Sequence, residues 1–465
     1  MNFAFTANYA NYLLDTETPI SIYLKIREHF NQCILLENAQ DGLTTSKHSY
    51  ICFEPVAGIS VKDNNMTLSY PGGKRTTKKI TDNRSVLSEI IGHLQGYVID
   101  GLHYGFPGLV GYMTYDAVRY FEDVDLPFNE FLSISDIQYD LYRYMIVINH
   151  ANNELQLITV RGIDEVSVNN TDVMSIINSK HITDYPFKTT SDERCDCSND
   201  AYIENVKKGK AFCNKGDVFQ VVLSRSFETD FLGDDLNVYR ALRSVNPSPY
   251  MFYCDYNNFR LFGSSPEAQF KIVNGKASIH PIAGTYKRTH DQATDHALAL
   301  QLQEDVKENA EHIMLVDLAR NDLSKHYKNV NLTEYRKIEQ YSHVMHMVSK
   351  VEGEKLVVDV HPLQILADTF PAGTLSGAPK YRAINIIKEI ESTSRGYYGG
   401  CIGFMGLDGS VNKAIMIRSF LSMNNTLHYR AGAGITAASV PKNELQEINN
   451  KINALRKAIK LANTL

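Results

Sequence analysis

Strands and helices follow one another along this chain without regular alternation, and that irregularity restricts the fold more than any other feature of the sequence. Across roughly the first 185 residues, short runs rich in aromatic and β-branched side chains are punctuated by Gly and Asn; examples are Ser49-Tyr-Ile-Cys-Phe53, Arg143-Tyr-Met-Ile-Val-Ile-Asn149 and Leu155-Gln-Leu-Ile-Thr-Val160. Such runs read as antiparallel strands. The polar stretch 185–199 has no periodicity and reads as a linker. Beyond it, strands such as Val218-Phe-Gln-Val-Val-Leu223 and Phe259-Arg-Leu-Phe-Gly263 are mixed with helical patterns near 291–323, 361–370, 379–391 and 442–462. Without a βαβ repeat this predicts an α+β fold: a β-rich region over 1–190 and a second, mixed region over 191–465.

Composition excludes several classes of function. The 465 residues are 43% hydrophobic, enough for a large core, and the net charge of −6 is spread along the chain. A nucleic-acid binder needs concentrated basic charge, which is missing. No apolar run approaches the ~18 residues of a membrane span. The start, Met1-Asn-Phe-Ala-Phe-Thr6, lacks a basic segment and soon meets Asp15 and Glu17, a poor secretion signal. Seven scattered Cys fit reduced thiols in a cytoplasm, and Cys195-Asp-Cys197 has no further soft ligands at zinc spacing.

Two helical patterns carry paired carboxylates. Glu304, Glu308 and Glu311 fall at i, i+4 and i+7, one face of a single helix, and Glu311 precedes the apolar run Ile313-Met-Leu-Val316. In the terminal helix Leu445, Ile448, Ile452, Leu455 and Ile459 define the core stripe, with Glu444, Glu447 and Lys451 at its edge. An acidic surface stripe and an ordinary Glu447–Lys451 surface pair would give the same spacings. Facing each other, the two pairs would make an oxygen-rich site for a hard divalent ion such as Mg²⁺, which would in turn take an anionic ligand. Thr374-Leu-Ser-Gly-Ala-Pro379 reads as a helix start suited to anions. Ala431-Gly-Ala-Gly434 reads as a tight turn or a close backbone approach to a ligand. Gln220, Glu267, His346 and Arg418 are polar residues in apolar surroundings, with His343 and His346 one turn apart. On these residues alone, lyase, transferase and binding protein remain equally open.

Longer strings narrow the choice. Gly216-Asp-Val-Phe-Gln-Val-Val-Leu-Ser-Arg225, Asn246-Pro-Ser-Pro-Tyr-Met-Phe252, Pro281-Ile-Ala-Gly-Thr285, Glu311-His-Ile-Met-Leu-Val-Asp-Leu-Ala-Arg-Asn-Asp322, Gly373-Thr-Leu-Ser-Gly-Ala-Pro-Lys380 and Arg395-Gly-Tyr-Tyr-Gly-Gly400 closely resemble the chorismate-utilising enzymes. That family includes anthranilate, aminodeoxychorismate, isochorismate and salicylate synthases. The resemblance implies a layered sandwich of large, mainly antiparallel β-sheets with helices packed outside. It implies Mg²⁺ held by Glu311 and Glu447, with Glu308 and Glu444 completing the site. Gly284, Thr285, Tyr398, Arg418, Gly432, Ala433, Gly434 and Lys451 would hold the substrate carboxylates. Glu267 would be the acid that protonates the departing C4 hydroxyl, His346 would serve the loss of pyruvate, and Thr374 would line the pocket.

Two positions separate the branches. Gln220 stands where water-adding members typically carry Lys, and Ala283 stands where aminodeoxychorismate synthases commonly carry a nucleophilic Lys. The anthranilate branch is therefore expected, using chorismate and ammonia, ahead of the aminodeoxychorismate branch or a non-catalytic regulatory relative. No Gly-x-Cys-x-Gly motif supplies a glutaminase, so the ammonia source is expected to be a separate glutamine amidotransferase subunit in a twofold assembly. The family also implies a tryptophan feedback pocket at Glu37, Asn38, Pro249, Tyr250 and Met251, with Asn38 replacing the usual Ser.

Overall fold

The computed structural model describes residues 3–37, 48–101, 108–126, 132–162, 170–289, 291–341, 344–356 and 360–465. Their strands pair antiparallel throughout, except where Phe3–Leu13 runs parallel to Tyr97–Asp100. Helices pack outside the sheets, which is the α+β arrangement expected.

One sheet passes through Ile34–Glu37, Tyr250–Asp255, Phe259–Ser265, Ser419–Met423, Thr426–Ile435 and Gln220–Gly233 in order of hydrogen bonding. The other contains Ile137–Asn149, Leu109–Met113, Cys401–Met405, Val411–Ile415 and Ala268–Val273. The long strand His48–Lys62 joins them. It pairs with Ile34–Glu37 through its first residues and with Asn65–Ser69 through its last, bending at Glu54 (φ 60°) beside a bulge between Pro55 and Ala57.

Pairing thus crosses residue 190 at Glu37–Met251, at Met113–Cys401 and at Phe187–Gly233. The two large apolar clusters of the core draw on both sequence regions. The stretch 185–199, expected as a linker, carries two short strands, Phe187–Thr189 and Arg194–Cys195. Both are stitched to Gln220–Gly233. Its polar composition fits this place at a sheet edge, where one side meets water.

The terminal helix Pro441–Ala462 forms as its stripe predicts. Ile448, Ile452 and Leu455 are buried against strand Thr426–Ile435 and the helices Asn199–Lys215 and Leu236–Val245. The expected helix over 291–323 is instead two helices, Gln292–Glu304 and Val306–Ser324. Asp305 breaks it: extended at ψ 113°, it accepts the Glu308 N–H at 3.0 Å as an N-cap. Glu304 therefore ends one helix while Glu308 and Glu311 begin the next. All seven cysteines are free. No described helix is long and apolar enough to cross a membrane.

Candidate active site

Gln220 opens the strand that lies between the two pieces of the site. Its Nε2 donates to Glu311 Oε1 at 2.9 Å, and its own Oε1 is buried without a partner among the described residues. Beside it run Gly432, Ala433 and Gly434. The tetrapeptide Ala431–Gly434 lies inside strand Thr426–Ile435, so the turn expected there does not form. The reason for glycine is crowding. A Cβ on Gly434 would sit 2.2 Å from Gln220 Nε2, and one on Gly432 would sit 3.0 Å from the Tyr398 hydroxyl. No side chain projects from the strand at either glycine.

Glu308 and Glu311 lie on one helix and Glu444 and Glu447 on the other, and Glu308 comes close enough to Glu447 to feel its charge. Burial, then the neighbouring Glu311 charge, pushes the Glu308 carboxyl up, with Glu447 adding to the effect. Burial likewise raises Glu444, which is almost fully enclosed. Burial alone would raise Glu447 too, but Lys451 at 2.7 Å holds it below the usual range. Lys451 also donates to the Gly432 carbonyl at 2.8 Å, tying the helix to the strand. The cluster consists of hard oxygen donors, and the mutual repulsion on Glu308 is what a divalent cation relieves, so donor type and charge fit Mg²⁺. Among the described residues no three His, Cys, Asp or Glu side chains already gather as a ligand set.

Glu267 follows Ser265-Pro266 at a strand end, with its backbone fixed by Ser265 Oγ and by the Ile415 N–H. Its side chain is buried and accepts the Thr374 hydroxyl at 3.1 Å. Burial pushes the carboxyl up to about 8, against the opposing pull of Thr374, Lys451 and Arg418. Glu267 is thus protonated at neutral pH and able to donate, which is the requirement on a general acid. Thr374 comes from the single turn Gly373–Ser376. The next helix, Lys380–Ile390, has Pro379 rather than Ser or Thr at its cap, and Gly377–Ala378 pairs with Gln220–Val221 instead. The segment therefore delivers a hydroxyl to Glu267 rather than a capped anion site.

His346 lies on strand Val344–Leu356, opposite Thr285, and not on a helix; its expected neighbour His343 falls outside the described residues. The ring nitrogen Nδ1 lies 3.2 Å from the Gly284 carbonyl, which can only accept, so Nδ1 carries the proton. Burial, with the Arg418 charge, pulls this histidine down to about 3, so it is neutral. Gly284 has φ 74° and faces Glu308, whose Oε2 would lie 3.3 Å from an added Cβ. Arg418 sits between two strands at φ 49°, and among the described residues no group bonds its guanidinium. Tyr398 is buried near Lys451 and Arg395.

Two of the expected regulatory residues lie opposite each other. Met251 pairs with Glu37 across adjacent strands, next to Pro249 and Tyr250. Glu37 is buried and receives hydrogen bonds from Tyr239 at 2.5 Å and Arg243 at 2.7 Å. Asn38 lies outside the described residues.

Sequence reasoning missed Arg395 as a builder of the site. It is buried, pairs with Glu391 at 2.7 Å, and donates to the Leu375 and Val222 carbonyls at 2.5 and 2.6 Å. Glu391 in turn accepts the Ser224 N–H at 2.7 Å. The pair clamps the Thr374 turn to the strand bearing Gln220. Its i,i+4 spacing with Glu391 was the available signal.

Comparison with known proteins agrees with this geometry. The family model described as chorismate binding enzyme matches residues 31–457. The chain is 36% identical to anthranilate synthase component 1 of Aquifex aeolicus (strain VF5), over 98% of this chain and 94% of that protein. Against anthranilate synthase component 1 of Bacillus subtilis (strain 168) it is again 36% identical, over 97% and 91%. The crystal structure of anthranilate synthase component I from Streptococcus pneumoniae TIGR4 superposes with a TM-score of 0.77 at 30% identity, covering 90% of this chain and 93% of that one. The menaquinone-specific isochorismate synthase of Escherichia coli shares the fold at 17% identity, with a TM-score of 0.73 over 98% and 95%. The acid, the carboxylate pairs and the glycine-lined strand thus lie in a member of the chorismate binding enzyme family, to which this chain belongs alongside the anthranilate synthase component 1 proteins.

Proposed function

We propose that this chain is the chorismate-converting component of an anthranilate synthase, a carbon–oxygen lyase that turns chorismate and ammonia into anthranilate and pyruvate. The observation that carries the reading is Glu267, a buried carboxyl held protonated beside the cations Arg418 and Lys451. Hydroxide is a poor leaving group, and a proton delivered from Glu267 lets the C4 hydroxyl depart as water. Arg418, Lys451, Tyr398 and the backbone of Gly432 to Gly434 would bind the two substrate carboxylates. Ammonia adding at C2 needs no base to activate it, which suits Gln220 in place of a lysine. Ala283 has no nucleophile with which to redirect amination to C4. Neutral His346 serves the second step, loss of pyruvate with aromatisation.

Glu308, Glu311, Glu444 and Glu447 would hold Mg²⁺, which when bound offsets their charge and anchors the ring carboxylate. The ammonia would come from a separate glutaminase subunit, in the cytoplasm, and tryptophan would act as feedback inhibitor at Glu37, Tyr250 and Met251. Chorismate turnover measured against Mg²⁺ concentration tests the assignment. Wild-type activity should require the ion, and Glu311→Gln and Glu447→Gln should each remove it. Full activity in either variant means that the carboxylates are surface charge only.

A further inference from the structure

Against Glu267 lies a small, partly open cavity. Glu267, Thr374, Gln269, Thr369 and Asp322 line it, together with apolar residues such as Ala319. Gln269 is placed there by a bulge. Strand Ala268–Val273 pairs Ala268 with Ala414 and Phe270 with Lys413, so Gln269 is the extra residue between them. It is 3% exposed; Nε2 donates weakly to the Thr369 carbonyl at 3.4 Å, and Oε1 is buried with no partner among the described residues. The same carbonyl accepts Lys380 Nζ at 2.7 Å, and Lys380 also pairs with Asp322 at 3.0 Å. Asp322 in turn faces Lys325 at 3.7 Å, and that lysine side chain reaches solvent.

Two features of this cavity call for water. A buried acceptor without a donor is costly, and where Glu267, Gln269, Thr369, Thr374 and Asp322 converge between apolar walls on a space wide enough for water, it is water that satisfies it. Both of its polar ends, Glu267 and Asp322, are buried, and the Asp322 end approaches solvent through its contact with Lys325. The catalytic cycle supplies the need. Once Glu267 has given its proton to the leaving hydroxyl it is a buried carboxylate, and substrate bound against it closes the other side.

We propose that the cavity holds a short file of water that returns a proton to Glu267 from solvent at the Asp322 end, with Gln269 as its positioning residue. The inference rests on Glu267 being the general acid. In each return the nearest water gives one proton to a Glu267 oxygen and takes one from the next water, and solvent replaces the last. The waters end unchanged, the carboxyl ends protonated, and no atom changes oxidation state. The competing route is direct return from the ammonium formed when ammonia adds to the ring.

Two variants of the full-length chain decide between them. Gln269→Leu removes the amide at nearly constant volume, and Ala319→Val narrows the cavity from the helix side. Both are assayed with chorismate, Mg²⁺ and ammonium salt, with thermal melts to establish folding. The relay predicts kcat at least about tenfold lower, chorismate KM within about twofold of wild type, and partial rescue as imidazole buffer is raised. Wild-type rates should not depend on buffer concentration. Unchanged kcat in either folded variant overturns the relay in favour of direct return. A loss that imidazole does not rescue assigns Gln269 a packing role only. A raised KM for ammonium with kcat preserved makes the cavity a path for ammonia and overturns the proposal as well. Glu267→Gln reports separately: if it keeps turnover, the acid assignment fails whatever the other variants do.

Discussion

Glu267 shows how a single residue can serve chemistry at the cost of stability. Its folded carboxyl keeps a proton up to about pH 8, whereas the same group in the unfolded chain ionises near its ordinary value of 4.5. Between those values the unfolded state binds fewer protons, so stability falls as pH rises. Glu267→Gln should therefore raise the melting temperature at pH 8 and leave it nearly unchanged at pH 4, as followed by circular dichroism. If Glu267 is the acid proposed above, the same carboxyl should set the alkaline limb of kcat/KM, near pH 8. Thr374 donates to the charged form and lowers this value, so Thr374→Val should move the limb to higher pH. A limb that stays in place would separate Thr374 from the acid. The acid's position at a strand end was legible in the Ser265-Pro266-Glu267 string. Its burial was not, because the enclosing residues, Thr374 and Ile415, lie more than a hundred positions away in the chain. Gln269 was invisible for a related reason: a bulge is a property of two paired strands, and one strand's sequence does not record it.

At the scale of elements, the strand carrying the glycines is the most exacting. A methyl on Gly434 would collide with the Gln220 amide and part it from Glu311. A hydrogen bond to a charged group contributes about 1.5–3 kcal/mol, so Gly434→Ala should lower kcat/KM for chorismate by roughly tenfold or more. The Glu391–Arg395 clamp predicts a different signature. Arg395→Met leaves Glu391 buried without its cation, which should destabilise the fold by about 3–5 kcal/mol, measurable by denaturant unfolding. The apolar stripe of the terminal helix was plain in sequence, since Ile448, Ile452, Leu455 and Ile459 bury the face that their spacing predicts. The break at Asp305 was not. An aspartate fits the interior of a helical pattern and a cap equally well, and only the turn of the backbone decides. The alternation Ala-Gly-Ala-Gly was equally ambiguous, because the crowding that demands glycine there comes from Gln220 and Tyr398 across the sheet.

Over the whole molecule, strand pairing joins regions that composition separates. The texture change near residue 190 is real, but Ile34–Glu37 and Leu109–Met113 complete sheets whose other strands come from beyond it. A fragment starting at residue 191 would expose the edges of Tyr250–Asp255 and Cys401–Met405. It should fail to give a cooperative thermal transition, and a sharp melt would show that the region folds alone. The layered arrangement was legible only through the family strings, since pairings between residues so far apart leave no local mark in sequence. The same arrangement brings carboxylates near 310 and 446 within reach of each other, and the account of function depends on that meeting. Incubating the purified chain with chorismate, Mg²⁺ and ammonium salt, while following pyruvate release and ortho-aminobenzoate fluorescence together, tests it most directly. Equal amounts of pyruvate and anthranilate are predicted; isochorismate, an aminated product without pyruvate, or no turnover would contradict the account.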